Sequence, residues 1–123
     1  MKRILIIDDD VQYREMLFDT LQHAGFDVEE AEDGEKGIQL QQKNPFDLII
    51  TDIIMPNKEG IGTIMELRND FPKLKIIAIS GGGRVVPNDY LEIAEKLGAH
   101  RTLSKPFERK DLIATINELL NNY

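Results

Sequence analysis

Short apolar segments alternate along this chain with segments of helical periodicity, and this alternation constrains the fold more than any other feature. Ile-rich runs of about four to eight residues favour buried strands, whereas apolar residues three and four positions apart favour amphipathic helices. The predicted strands are Ile4–Ile7, Phe26–Ala31, Leu48–Asp52, Leu74–Ile79 and His100–Leu103. The predicted helices are Val11–Ala24, Gly34–Lys43, Gly60–Phe71, Asn88–Leu97 and Arg109–Leu120.

Five strands that alternate with five helices predict an α/β fold, in which a parallel sheet is covered by helices on both faces. Right-handed crossovers then bring the carboxyl ends of all the strands to one edge of the sheet. The chain of 123 residues has the size of one domain, so residues 1–123 are predicted to form a single unit.

The composition excludes several classes of function. A net charge of −7 argues against binding to the nucleic-acid backbone, which requires clustered Lys and Arg. The absence of cysteine excludes disulfides, thiolate catalysis and zinc–sulfur sites. His23 and His100 show no metal-ligand pattern and are assigned no role. No apolar run is long enough for a membrane span, and no signal-peptide pattern precedes the first strand, so the expected location is the cytoplasm.

Polar residues of particular types follow four of the five predicted strands. Asp8 and Asp9 follow the first strand, Asp52 ends the third, Ser80 follows the fourth, and Lys105 follows the fifth. Because ligands of open α/β sheets bind at the carboxyl edge, we expect these five side chains to converge on one site.

Three carboxylates at one site repel one another, since two unit charges about 4 Å apart interact by roughly 4 kcal/mol at an effective dielectric of 20. Lys105 and one divalent cation would neutralise Asp8, Asp9 and Asp52. Oxygen ligands that leave room for water and phosphate favour Mg²⁺. The pattern therefore predicts that Asp52 is a nucleophile for a phosphoryl group, with Lys105 and Mg²⁺ stabilising the developing charge.

Each of these residues also has an interpretation that involves no function. Residues Asp8 to Asp10 could cap the first helix, because Asp is favoured at that position. Asp52 could be a loop acid, Ser80 a turn residue before the glycines, and Lys105 a surface lysine. Their joint occurrence at four strand ends favours the functional interpretation.

These motifs resemble the receiver domain of two-component response regulators, over nearly the whole chain. The resemblance rests on the following segments and residues: Ile6–Asp9, Asp52–Pro56, Gly60, Ser80 and Lys105–Phe107. It implies a flavodoxin-like, doubly wound sheet of five parallel strands in the order 2-1-3-4-5, with five helices.

The resemblance also implies a set of roles. Asp52 would accept a phosphoryl group from a phosphohistidine on a sensor histidine kinase or a histidine phosphotransfer protein. Asp9 and Asp52 would bind Mg²⁺ directly, Asp8 through water, and Ile54 through its backbone carbonyl. Two residues would contact the phosphoryl group, namely Ser80 and Lys105. Apolar Ile54 offers no group to hold an attacking water, so autodephosphorylation is expected to take minutes or longer.

Two features depart from the family pattern. Receivers usually carry an aromatic residue three positions before the lysine, where this chain has Thr102, so signalling is expected to use backbone and loop shifts. The loop that begins Gly81–Gly83 is expected to be mobile without phosphate, and Arg84 is either a phosphoryl or partner contact or a solvated surface residue. The Lys105–Pro106 bond is expected to be cis, as in the family.

The sequence up to Tyr123 contains no linker and no second domain, so a stand-alone receiver is expected. Its output would be altered binding of a downstream protein by the fourth helix, fifth strand and fifth helix. A monomer is expected, with dimerisation on phosphorylation left open.

Two alternative interpretations of the function remain. Asp8–Gln12 partly mimics the Asp-x-Asp-x-Thr motif of haloacid-dehalogenase-type aspartyl-phosphate hydrolases but lacks its threonine, and a pseudo-receiver would bind partners without phosphorylation.

Overall fold

The computed structural model describes residues 1–53, 60–80 and 88–120, and strands and helices alternate through these ranges as predicted. The strands are β1 (Arg3–Ile7), β2 (Asp27–Ala31), β3 (Leu48–Asp52), β4 (Lys75–Ser80) and β5 (Arg101–Ser104). The helices are α1 (Val11–His23), α2 (Gly34–Lys43), α3 (Gly60–Asp70), α4 (Asn88–Leu97) and α5 (Arg109–Leu119). Each predicted boundary lies within one residue of the observed one. None of the helices in the described part has the length and apolar character needed to cross a membrane.

The five strands form one parallel sheet in the order β2-β1-β3-β4-β5, which confirms the predicted topology. The central strand β3 is buried along its whole length. In the sheet register Asp52 pairs with Ile79, and the next residue of β4, Ser80, pairs with Ser104 at the end of β5. The strands therefore end together at one edge.

Alternation of side chains along the strands divides the core into two layers. One layer packs β1, β3 and β4 against α1 and α5; its fully buried members include Ile6, Ile50, Ile77, Leu17 and Ile116. The other layer packs the same strands against α2, α3 and α4; its members include Leu5, Ile49, Ile76, Ile64 and Ala94. Each buried leucine or isoleucine side chain contributes about 1.5–3 kcal/mol on burial. Because Asp52 follows Ile50 by two positions on β3, its side chain lies on the α1 and α5 face.

The start of α3 is fixed directly against the end of β3. The backbone N–H of Gly60 donates to the carbonyl of Ile53 at 3.0 Å, and the N–H of Ile53 donates to the carbonyl of Ile79 at 3.0 Å. A Cβ atom on Gly60 would lie 2.1 Å from the carbonyl oxygen of Asp52. Only glycine permits this close approach, so Gly60 helps to set the position of the Asp52 backbone.

Candidate functional site

Three carboxylates meet at the carboxyl edge of the sheet. One oxygen from each of Asp8, Asp9 and Asp52 lies within 4.8 Å of the other two. Asp8 follows the last residue of β1 and is fully buried, whereas Asp52 ends β3 and is 5% exposed. Topology therefore brings together the three acids whose positions in the sequence suggested a common site.

Lys105 lies between two of these acids. Its Nζ is 3.0 Å from Oδ2 of Asp8 and 3.2 Å from Oδ2 of Asp52, and its side chain is only 4% exposed. The surface-lysine interpretation is therefore wrong. The Lys105–Pro106 bond is cis, as the resemblance implied. These four described side chains, one ammonium group and three carboxylates, together carry an excess of negative charge.

The environment of Asp8 suits a bound cation. Burial raises the pKa of the Asp8 carboxyl, and it outweighs the lowering by the Asp10 backbone N–H and the Lys105 ammonium; the Asp52 carboxylate raises it further. A buried carboxylate that favours its neutral form is returned to its charged form by a nearby cation. The candidate ligand atoms are carboxylate oxygens, a type that binds hard cations such as Mg²⁺ rather than soft metals.

The connection between β1 and α1 holds Asp8 in place. The side chain of Asp10 accepts from the backbone N–H of Tyr13 at 3.2 Å, so the capping interpretation applies to Asp10. The N–H of Asp10 in turn donates to Oδ1 of Asp8 at 3.0 Å. Arg14 donates to the backbone carbonyl of Asp8 at 2.7 Å and pairs with Glu30 at 3.4 Å. No pattern in the sequence indicated this role of Arg14.

An aromatic side chain that the sequence analysis also missed covers the lysine. The ring centroid of Tyr13 lies 4.1 Å from Nζ of Lys105, and the ring meets Phe107 edge to face at 5.9 Å and 82°. Burial raises the pKa of Tyr13 to about 12, with nearby aspartates as lesser causes, so its ring stays uncharged at neutral pH. The only signal in the sequence was its position three residues after the helix cap Asp10, in the first turn of α1.

Ser80 is the last residue of β4, one position later than the predicted end of the strand, and it is 4% exposed. It follows Ile79, the register partner of Asp52, so it lies at the strand end next to the carboxylates. Predictions about four other features fall outside the described residues: Ile54, Met55–Pro56, Gly81–Gly83 and Arg84.

Thr102 takes the place of the aromatic residue that receivers usually carry on the fifth strand. It pairs with Ala78, whose side chain belongs to the core layer of α2, α3 and α4. Its hydroxyl donates to Oε1 of Glu95 on α4 at 3.4 Å. The position is thus occupied by a polar contact between β5 and α4.

Comparisons with known proteins agree with this geometry. The family model described as "Response regulator receiver domain" matches residues 4–117. The response regulator receiver protein CpdR of Brucella abortus is 35% identical over 120 residues, which cover 98% of this chain and 98% of that protein. The transcriptional regulatory protein CpxR of Escherichia coli is also 35% identical, over 98% of this chain but only 50% of that protein. The crystal structure of a receiver domain protein from Clostridium thermocellum superposes with a TM-score of 0.90 at 29% identity, covering 98% of this chain and 95% of that one.

Proposed function

The chain belongs to the family of response regulator receiver domains, and from this premise we propose that it is a Mg²⁺-dependent phosphoacceptor in two-component signalling. In this proposal Asp52 accepts the phosphoryl group from a phosphohistidine on a sensor histidine kinase or a histidine phosphotransfer protein. The observation that carries it is the buried ammonium of Lys105, held 3.0 Å from Asp8 and 3.2 Å from Asp52 at the carboxyl edge of the sheet.

The proposed reaction is a transfer between two nucleophiles. A carboxylate oxygen of Asp52 forms a bond to phosphorus as the bond from phosphorus to the donor imidazole breaks, and the imidazole leaves with that electron pair. Asp52 loses its single negative charge, while the phosphoryl group brings about −2. The ammonium of Lys105 lies where this charge develops, and such electrostatic stabilisation is the main means of catalysing phosphoryl transfer.

The residues present fit a magnesium ion. Asp8, Asp9 and Asp52 would hold it, and the predicted further ligand is the backbone carbonyl of Ile54. When bound, Mg²⁺ supplies positive charge to the phosphoryl oxygens. Together with Lys105 it would bring the formal charge of these side chains to zero before transfer.

Ser80 is the proposed sensor of phosphorylation. Its hydroxyl can donate to a phosphoryl oxygen only once that group is present on the neighbouring strand. The proposed output is a change in binding of a downstream protein at the face formed by α4, β5 and α5, where Thr102 and Glu95 meet. The proposed setting is the cytoplasm, with a monomer before phosphorylation.

The comparisons give no support to the two rivals. A haloacid-dehalogenase-type hydrolase would use a first-strand acid, Asp8, as its nucleophile, yet the matched family is a signalling family. A pseudo-receiver is expected to lack one of the acids or the lysine, and this chain carries Asp8, Asp9, Asp52 and Lys105.

Intact-mass spectrometry after incubation with acetyl phosphate tests the proposal. We expect one phosphoryl group on the wild-type chain with Mg²⁺, and none with EDTA or in Asp52→Asn. Asp19→Asn, an exposed change on α1, is the matched control and should be labelled like the wild type. Rapid consumption of acetyl phosphate that depends on Asp8, without an adduct, would support the hydrolase instead.

A further inference from the structure

Tyr13 is a direct partner of the buried Lys105 ammonium, besides Asp8 and Asp52. The distance of 4.1 Å from Nζ to the ring centroid is well within the range of about 6 Å for a cation–π interaction. Because the Lys105 side chain is 4% exposed, the contact is largely desolvated, which places it among the stronger examples of its kind. The ring therefore restrains the ammonium in its position between the two carboxylates.

The same ring connects the site to the segment that leads into α5. Phe107 lies two positions after Lys105 and meets Tyr13 edge to face, with centroids 5.9 Å apart. Both rings pack against the core layer of α1 and α5. A change in the position of the Tyr13 ring would thus alter its contact with Phe107, which lies just before α5 begins at Arg109.

This aromatic contact lies on the other face of the sheet from Thr102. Thr102 pairs with Ala78, in the layer of α2, α3 and α4, whereas Leu103 packs in the layer of α1 and α5. Among the described residues, the aromatic side chains in contact with Lys105 or with its aromatic partner therefore come from α1 and from the segment after β5.

We propose that Tyr13 is a positioning residue for Lys105, which holds its ammonium between Asp8 and Asp52 and transmits its movement through Phe107 to the start of α5. The inference rests on the proposed phosphorylation of Asp52. Transfer replaces one negative charge on Asp52 by about two on the phosphoryl group, so the ammonium is drawn toward the phosphoryl oxygens and away from its resting contact with the ring.

Three variants of the full chain separate this role from simple packing. Tyr13→Phe keeps the ring, and Tyr13→Leu keeps an apolar side chain but removes the cation–π contact. Phe18→Leu is the matched control, because Phe18 is another partly buried aromatic residue of α1 that packs in the same core layer. Urea unfolding of both leucine variants measures the stability lost through packing alone.

The first measurement is the initial rate of adduct formation with Mg²⁺ and acetyl phosphate below saturation. Tyr13→Leu should be slower by about tenfold, equivalent to about 1.4 kcal/mol, which lies between the values for exposed and for fully desolvated cation–π contacts. Tyr13→Phe and Phe18→Leu should stay close to the wild-type rate. A wild-type rate in Tyr13→Leu, or an equal loss in Phe18→Leu, would overturn the positioning role.

The second measurement is ¹⁹F NMR of chains that carry fluorophenylalanine, with the Phe107 signal identified by its loss in Phe107→Leu. Phosphorylation should shift the Phe107 signal in the wild type, and the shift should be lost in phosphorylated Tyr13→Leu. An equal shift in Tyr13→Leu would overturn transmission through Tyr13 and leave the proposed function intact. A wild type that forms no adduct with any phosphodonor would overturn both proposals.

Discussion

Replacement of Lys105 by Met is expected to destabilise the fold by about 3–5 kcal/mol at pH 7, the usual cost of removing one partner from a buried ion pair. The ammonium lies 3.0 Å from the fully buried side chain of Asp8 and 3.2 Å from that of Asp52, which is 7% exposed. Met retains most of the apolar stem of Lys105, so the change leaves little cavity. The loss of stability therefore reports the positive charge of Lys105 in its contacts with the two carboxylates and with the Tyr13 ring.

The size of this loss should depend on pH through Asp8. Burial already raises the pKa of Asp8 in the wild type, and removal of Lys105 takes away a cation that lowers it. A folded-state pKa above the unfolded value means that the folded protein binds the proton more tightly. The cost of keeping Asp8 charged in the folded protein is therefore complete above the folded-state pKa and is relieved as the pH falls through it. The difference in the free energy of unfolding between Lys105→Met and the wild type should thus shrink from pH 7 to pH 5.

Urea unfolding followed by circular dichroism measures these differences, at both pH values and with and without Mg²⁺. Mg²⁺ should stabilise the variant, because a ligand that binds only the folded state raises its stability. Lys110→Met is the matched control: Lys110 is 78% exposed and pairs with Glu108 at the surface, where such pairs contribute about 0–1 kcal/mol. A loss no larger than that of the control, or one unaffected by both pH and Mg²⁺, would refute the reasoning.

Two further changes probe the support of the site and the far end of the sheet. Gly60→Ala should lower the free energy of unfolding by about 3 kcal/mol and slow the labelling of Asp52, since its Cβ would lie 2.1 Å from a backbone oxygen; an unchanged urea midpoint would contradict this. Acidification from pH 7 to pH 5 should destabilise the wild type through His100, whose Nδ1 accepts from the Ile76 N–H and the Arg68 guanidinium, each at 3.2 Å. Burial lowers the pKa of His100 below its ordinary value of 6.5, with nearby cations as lesser causes, so its stabilising contribution is present above that value and lost as the pH falls. His100→Asn keeps an acceptor without this titration and should show a flatter pH dependence of stability, whereas equal slopes would exclude His100 as the cause.

The fold could be predicted because its signals are local. The run Ile4–Ile7 and the helical spacing of Asn88–Leu97 depend on neighbouring residues alone, and the parallel order follows from the alternation of strands and helices. The site acids could be predicted for the same reason: once the sheet is parallel, Asp8 and Asp52 must lie at the same edge. The placement of these two acids thus follows from the topology of the sheet.

Contacts that depend on side-chain packing between distant elements could not be predicted. Tyr13 covers Lys105 only because the first turn of α1 lies beside the segment after β5, a relation that no spacing in the sequence encodes. His100 was assigned no role because it lacks a metal-ligand pattern, yet Arg68 donates to its ring and to the carbonyl of Gly98 at 2.8 Å. These contacts are set by how the last turn of α3 packs against the segment after α4.

Whether the Asp52 side chain carries the phosphoryl group is tested best by locating that group chemically. Borohydride reduces an aspartyl phosphate to homoserine, so peptide mapping after labelling with Mg²⁺ and acetyl phosphate identifies the modified position. We expect homoserine at position 52 in the wild type and none at any position in Asp52→Asn. Homoserine at position 8 or 9, or a labelled chain that yields no homoserine, would contradict it.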